Sequence, residues 1–257
     1  MPKPDRAGRS PLLETRALTR EFSGFRAVSD VDLAVPEGEV HALVGPNGAG
    51  KTTLFNMLTG FLTPTSGQIL FGGHDITGKQ PETIAHLGVA RSFQITSLFE
   101  EMSLLEHLEL ALASTTSLTT RFWKSPRSLD QFRARGMELL DEVGLADRSA
   151  QRAGTLAYGQ KRALELAIAL ALDPRLLLLD EPTAGMGVED IDRTIELVKA
   201  IAVDRTVIFV DHNMHVVGSL ADRVTVLQAG SVLATGTYDE VRADERVISA
   251  YLGAAHD

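Results

Sequence analysis

Gly45-Pro46-Asn47-Gly48-Ala49-Gly50-Lys51-Thr52, followed by Thr53, is the stretch whose reading decides the fold. It fits the pattern G-x-x-x-x-G-K-[ST], and its flanks are those the pattern needs. Val40-His41-Ala42-Leu43-Val44 before it reads as a buried strand, and Lys51 to Leu62 after it reads as a helix. Gly45, Gly48 and Gly50 are expected to let the backbone close around phosphate oxygens that a Cβ would obstruct. Successive backbone N–H groups then form an anion cradle at a helix N-terminus. Lys51 supplies a point charge for the outer phosphates, and the Thr52 hydroxyl is a hard oxygen ligand suited to Mg2+.

A second cluster lies far along the chain. Leu176-Leu177-Leu178-Leu179-Asp180-Glu181-Pro182 is a buried strand ending in two acids. Carboxylates at the C-terminal edge of a parallel sheet stand where ligands bind. Asp180 there suits a Mg2+ ion, and Glu181 suits a general base for an attacking water. His212 follows another apolar run, Val207 to Val210, and is expected at the same edge, beside the γ-phosphate. The other six histidines (His41, His74, His86, His107, His215 and His256) read as ordinary polar residues.

Around these motifs the chain divides by pattern. Residues 1–11 hold Pro2, Pro4, Gly8 and Pro11 among charges and read as a loose tail. From Leu12 to Phe71 come short strand-like runs, such as Val31 to Val35. Over 98–172 the apolar residues recur at helical spacing, as in Leu104, Leu105, Leu108 and Leu112. Within that helical subdomain, 114–130 reads as a long exposed connection. Its Phe122 and Trp123 are open to the alternative of a partner-facing contact. Strand patterns resume at Leu176, with a helix over Glu189 to Ala202 completing a right-handed β–α–β crossover. Further strands at Val224 to Leu227 and Val232 to Ala234 flank a turn at Ala229-Gly230, and a last helix ends near Tyr251-Leu252-Gly253.

Composition bounds the function. The 257 residues carry 25 Lys+Arg against 34 Asp+Glu, a net charge of −9, which argues against a protein that coats nucleic acid. Cysteine is absent, so disulfide scaffolds and Cys-based zinc sites are excluded. The most apolar stretch, Leu166 to Leu172, is far short of the roughly 20 residues that span a bilayer. The first residues lack the apolar core of a secretory signal.

Taken together the motifs resemble an ATP-binding cassette (ABC) ATPase over Leu12 to Gly253. The order is Phe22, the loop Gly45 to Thr53, Gln94, Leu156-Ala157-Tyr158-Gly159-Gln160, Asp180-Glu181 and His212. The resemblance implies one domain over 12–253. It would comprise a P-loop α/β core with a parallel sheet and an N-terminal antiparallel β subdomain (12–97 and 173–253), interrupted by an α-helical subdomain (98–172). It implies ATP and Mg2+ as cofactors. Phe22 would stack on adenine with Val28 beside it. Gln94 would reach the Mg2+, with Thr52 and Asp180, and sense the γ-phosphate. Ala157, Tyr158, Gly159 and Gln160 would complete the ATP site of an opposite subunit. The helical subdomain would dock on an integral-membrane permease at the cytoplasmic face of the membrane, and a periplasmic or extracellular solute-binding protein would be an indirect partner.

Two departures from the family pattern stand out. Ala157 and Tyr158 replace the Ser and the first Gly of the usual Leu-Ser-Gly-Gly-Gln signature. Ala184-Gly185-Met186-Gly187 lacks the Asp that usually ends that segment. Both point to one member of an unequal pair of cassettes. The Leu-Ala-Tyr-Gly signature, the long helical insert, Leu220 to Val224 and the ending Ala250-Tyr251-Leu252-Gly253 resemble the larger ATPase of branched-chain amino acid uptake systems. Relatives of that group import urea, short amides or aromatic acids, or drive lipopolysaccharide export. A non-transport ABC protein acting on ribosomes or DNA ends fits less well, since the chain has one phosphate loop and no sustained heptads. A GTPase would need an Asn-Lys-x-Asp motif, which is absent.

Overall fold

The structure is a computed structural model and describes residues 10–92, 98–114 and 126–253. Two sheets organise it. The first is antiparallel, in the order β2-β1-β4-β5, from β1 (Pro11–Phe22), β2 (Phe25–Pro36), β4 (Ser66–Phe71) and β5 (His74–Asp75). The second runs β10-β9-β3-β8-β7-β6. It is built from β3 (Val40–Val44), β6 (Val89–Ser92), β7 (Leu176–Asp180), β8 (Thr206–Val210), β9 (Arg223–Gln228) and β10 (Ser231–Gly236). Its strands pair in parallel except β10, which returns antiparallel along β9.

The core strands are short apolar runs because both faces are covered. Along β7, Leu176 and Leu178 enter one hydrophobic cluster, while Leu177 and Leu179 enter the other. Ile208 and Val210 of β8 alternate with Val207 and Phe209 in the same way. One cluster traps helix α1 (Lys51–Leu58) between the two sheets, through Leu54, Phe55 and Leu58. The other lies under the remaining helices.

Helix α1 stops earlier than its apolar pattern suggests. Gly60 takes φ 77°, where a Cβ would lie 2.6 Å from the Lys79 carbonyl oxygen, and the Thr59 hydroxyl donates to the Phe55 carbonyl at 2.8 Å. That left-handed glycine closes the helix. Helix α2 (Pro81–His86) leads into β6.

Between the parallel neighbours β6 and β7 the chain forms α3 (Leu104–Ser114), α4 (Pro126–Glu142) and α5 (Tyr158–Leu170). Gly136 lets α3 and α4 approach closely, since a Cβ there would lie 2.9 Å from Leu105 Cδ1. Helix α5 touches both that pair and β6. Helix α6 (Val188–Ile201) crosses from β7 to β8, and α7 (Met214–Leu220), α8 (Tyr238–Ala243) and α9 (Glu245–Gly253) complete the chain. Phe122 and Trp123 lie outside the described residues. Among the described residues, no helix is long and apolar enough to cross a membrane.

Candidate functional site

Parallel register brings the C-terminal ends of three strands together. Leu43 of β3 lies opposite Val210, and Asp180 of β7 lies opposite Val210 as well. The residues just beyond these ends are Gly45, Glu181 and Asp211-His212. The phosphate loop, the acidic pair and His212 therefore share one edge, as the strand pattern predicts. Gln94 lies outside the described residues.

The loop owes its shape to main-chain crowding. A Cβ on Gly45 would lie 2.2 Å from the Leu227 carbonyl oxygen, and one on Gly50 would lie 2.4 Å from the Ala27 carbonyl oxygen. At these two positions glycine is needed to fit the loop into the protein. Gly48 has nothing within 4 Å of its would-be Cβ and is the one that faces open space. Asn47, Gly48 and Thr52 are exposed, Ala49 is buried, and Pro46 and Thr53 are half-buried.

Lys51 is buried and folded back on the loop. Its Nζ donates to the Gly45 carbonyl at 2.7 Å and to the Pro46 carbonyl at 3.0 Å. Burial lowers its pKa, and the nearby charges of Glu181 and Asp180 oppose that shift.

Glu181 has φ 48°, a strained value for a residue with a Cβ. Its N–H donates to the Val210 carbonyl at 2.8 Å, which ties the acidic turn to β8. Its Oε1 lies 3.1 Å from His212 Nε2, with both side chains partly exposed. Asp211, before His212, is buried and accepts from the Thr183 hydroxyl at 2.6 Å and the Asn213 N–H at 2.9 Å. This clamps the two turns that carry Glu181 and His212.

Asp180 has a partner that the sequence does not reveal. Arg91 of β6 donates to Asp180 Oδ2 at 2.6 Å and to Asn56 Oδ1 of α1 at 2.6 Å, and its guanidinium lies over the Phe55 ring. A basic residue inside an apolar strand was the available signal. The donor set near the loop is made of hard oxygens, the Thr52 hydroxyl and the Asp180 carboxylate, which suits Mg2+. Among the described residues no group of three or more His, Cys, Asp or Glu could cage a metal.

Phe22 ends β1 and is 42% exposed, enough to meet a ring, with the Arg20 guanidinium 4.5 Å from its centroid. Phe25, across the Ser23-Gly24 turn, is more exposed still and was not singled out from the sequence. Val28 differs from expectation. It is wholly buried, and its Cγ2 packs against Gly50 under the loop, so it does not stand beside Phe22 as a base contact.

The signature residues open α5. Ala157 offers no side-chain cap, and the Gln160 side chain supplies the reciprocal half of a capping box, accepting from the Ala157 N–H at 3.2 Å. Tyr158 lies against Gly185, with the Arg162 guanidinium 5.8 Å from its ring. Gly159 faces the Asp190 carboxylate. The two departures from the family pattern, Tyr158 and the Gly185 segment, are thus in contact. Behind them is a cavity of about 240 Å³ walled in part by Arg162 and Glu165. Burial raises the Glu165 carboxyl pKa, countered by Arg162 at 3.1 Å.

Two of the remaining histidines are structural. His41 is fully buried between Glu39 Oε1 at 2.7 Å and Thr225 Oγ1 at 2.8 Å. His107 accepts from the Phe99 N–H at 3.0 Å and lies 2.8 Å from the Ser103 carbonyl, so its Nδ1 carries the proton.

Comparison with known proteins agrees with this geometry. Residues 28–184 match the ABC transporter family, and residues 231–257 match the family described as branched-chain amino acid ATP-binding cassette transporter. The high-affinity branched-chain amino acid transport ATP-binding protein BraF of Pseudomonas aeruginosa is 41% identical over 254 residues, covering 95% of this chain and 99% of BraF. The corresponding LivG of Escherichia coli is 38% identical over 252 residues, covering 95% and 99%. The crystal structure of the ADP conformation of MJ1267, an ATP-binding cassette of an ABC transporter, superposes with TM-score 0.85 at 29% identity, covering 95% of this chain and 99% of that one. On the match over 28–184 and the full-length likeness to these relatives, the chain belongs to the ABC transporter family of ATP-binding cassettes.

Proposed function

We propose that this chain is the ATP-hydrolysing subunit of an importer of branched-chain amino acids, working at the cytoplasmic face of the membrane. The observation that carries the reading is a conjunction. Lys51, Glu181 and His212 meet at one sheet edge, and the same chain ends in a segment, 231–257, that matches the branched-chain amino acid cassette family.

In this reading the loop from Gly45 to Thr53 receives the phosphates, through its backbone N–H groups other than at Pro46, and Phe22 stacks on adenine. Lys51 leaves the Gly45 and Pro46 carbonyls for the phosphate oxygens. Glu181 accepts the proton of the attacking water as the bond between the γ-phosphorus and the bridging oxygen breaks, giving ADP and phosphate. His212 orients that carboxylate and donates to the γ-phosphate. Thr52, Asp180 and Gln94 would hold Mg2+, whose chemistry is to neutralise phosphate charge.

Ala157 to Gln160 serve the nucleotide of an opposite, non-identical cassette. Residues 12–253 act as one unit, with 98–172 as the helical part that meets an integral-membrane permease. A solute-binding protein delivers the cargo from outside.

Glu181→Gln should keep ATP binding and lower turnover by about 100-fold or more when assayed with the partner subunits. Undiminished hydrolysis would take Glu181 out of the mechanism. Cargo is tested by disrupting the gene and measuring uptake of labelled leucine, urea, a short amide and an aromatic acid. Retained leucine uptake with loss of another would reassign the importer.

A further inference from the structure

Strand β6 carries a charge where its pattern calls for an apolar residue. Val89, two places before Arg91, enters the cluster that traps α1. So do Leu176 and Leu178 of β7, which lead by the same alternation to Asp180. Arg91 and Asp180 therefore stand on the α1 side of the sheet, with side chains only 12% and 9% exposed. The guanidinium bridges two elements. One nitrogen donates to Asp180 Oδ2 at 2.6 Å and another to Asn56 Oδ1 of α1 at 2.6 Å, and the fully buried Phe55 ring lies 5.8 Å from its central carbon. Among the described residues, the Asp180 carboxylate takes its hydrogen bond from Arg91 alone, and Oδ1 accepts none. Asn56 follows Thr52 by four residues, which places the two on one face of α1. One guanidinium thus joins the helix that carries Thr52 to the strand that ends in Asp180.

On the reading of Thr52 and Asp180 as Mg2+ ligands, we propose that Arg91 is a positioning residue for the ion: it holds the Asp180 carboxylate in fixed relation to the helix that carries Thr52. Stability does not call for this arrangement. A buried ion pair seldom gains over apolar residues of the same volume, because both charges lose water. An apolar side chain at position 91 would simply continue the cluster around Val89 and Leu178. Core packing fixes the backbones of β7 and α1, but an aspartate carboxylate can still turn about its side-chain torsions. The charge-assisted hydrogen bond from Arg91 removes that freedom. Mg2+ demands a near-octahedral set of oxygens at short range, so a wandering ligand must be ordered before the ion binds. The bridge supplies that order in advance. Lysine is no substitute, since its ammonium is a point charge on a flexible stem and lacks the planar fork.

The test uses the full chain, a fluorescent non-hydrolysable ATP analogue, and a Mg2+ titration beside a metal-free arm in EDTA. Arg91→Lys keeps the charge and breaks the bridge. It should raise the Mg2+ concentration for half-maximal enhancement of binding about tenfold, while metal-free affinity stays within about twofold. Asn56→Ala cuts the bridge at α1 and leaves the pair with Asp180, so the same midpoint should move by roughly threefold. If Arg91→Lys does not fold, Asn56→Ala decides the matter. An unchanged Mg2+ midpoint in the folded variants would overturn the proposal. Equal weakening with and without Mg2+ would also overturn it, by reducing Arg91 to packing. If the unaltered chain binds the analogue but gains nothing from Mg2+, Thr52 and Asp180 are not ligands, and the proposal falls with that reading.

Discussion

The phosphate loop and the signature segment sit at opposite ends of the functional logic, and they are built differently. The loop is crowded by main chain on several sides. Leu227, Ala27 and Gly230 all crowd it, and its lysine is folded inward. The signature is held by side chains near the surface. Gln160 caps its helix, and Tyr158 lies between Arg162 and Gly185. The first is a preformed cradle that tolerates almost no added atom. The second is a ledge of side-chain contacts at the start of α5.

The strongest way to break this contrast is to add one carbon to the loop. In Gly45→Ala the new Cβ meets the backbone oxygen of Leu227 at 2.2 Å, in a backbone conformation that L side chains rarely adopt. Neither partner is a flexible side-chain end, so the strand or the loop must move. We expect a loss of roughly 3 kcal/mol in unfolding free energy, with nucleotide binding reduced at least tenfold. Urea unfolding and titration of a fluorescent nucleotide measure the two. Near-normal values for both would mean the loop is looser than its contacts imply.

A gentler probe is the pH dependence of nucleotide affinity. Burial holds the Lys51 pKa below its ordinary value of 10.5 in the free protein. Phosphate binding favours the charged amine and raises its pKa in the complex. Affinity is therefore full below the free-protein value and is lost as pH rises through the value in the complex. The decline should begin below pH 10.5, and Lys51→Arg, which stays charged, should flatten it. Affinity curves of the same shape for both proteins between pH 8 and 10.5 would remove Lys51 as the group responsible.

The two regions were also unequally legible in the sequence. The phosphate loop, the acidic strand end and the alternation of buried strands rest on neighbours along the chain, so periodicity and spacing expose them. What stayed hidden depends on pairing at a distance. Arg91 meets Asp180 across two strands that adjoin only after the helical segment closes the crossover. Val28 is buried, with its Cγ2 packed against Gly50 of the loop, a neighbour distant in sequence. The crowding at Gly45 and Gly50 stayed hidden for the same cause, since its atoms belong to Leu227 and Ala27.

The smallest effect should come from Tyr158→Gly, which restores the residue common in the family signature. It removes a ring that the Arg162 guanidinium approaches at 5.8 Å, and it uncovers Gly185. Cation–π contacts at half-exposed sites contribute about 0.5–1 kcal/mol, and glycine in the first turn of α5 adds only a little to the loss. The unfolding free energy should therefore fall by about 1 kcal/mol. Nucleotide affinity of the single chain should stay within about twofold, because Tyr158 contacts the Gly185 segment and Arg162 rather than the chain's own phosphate loop. A larger change in that affinity would show that the signature acts on its own nucleotide, and the division between a self-supplied cradle and a ledge for a second cassette would fail. If affinity holds while ATP-dependent pairing of cassettes strengthens, the tyrosine acts on that pairing.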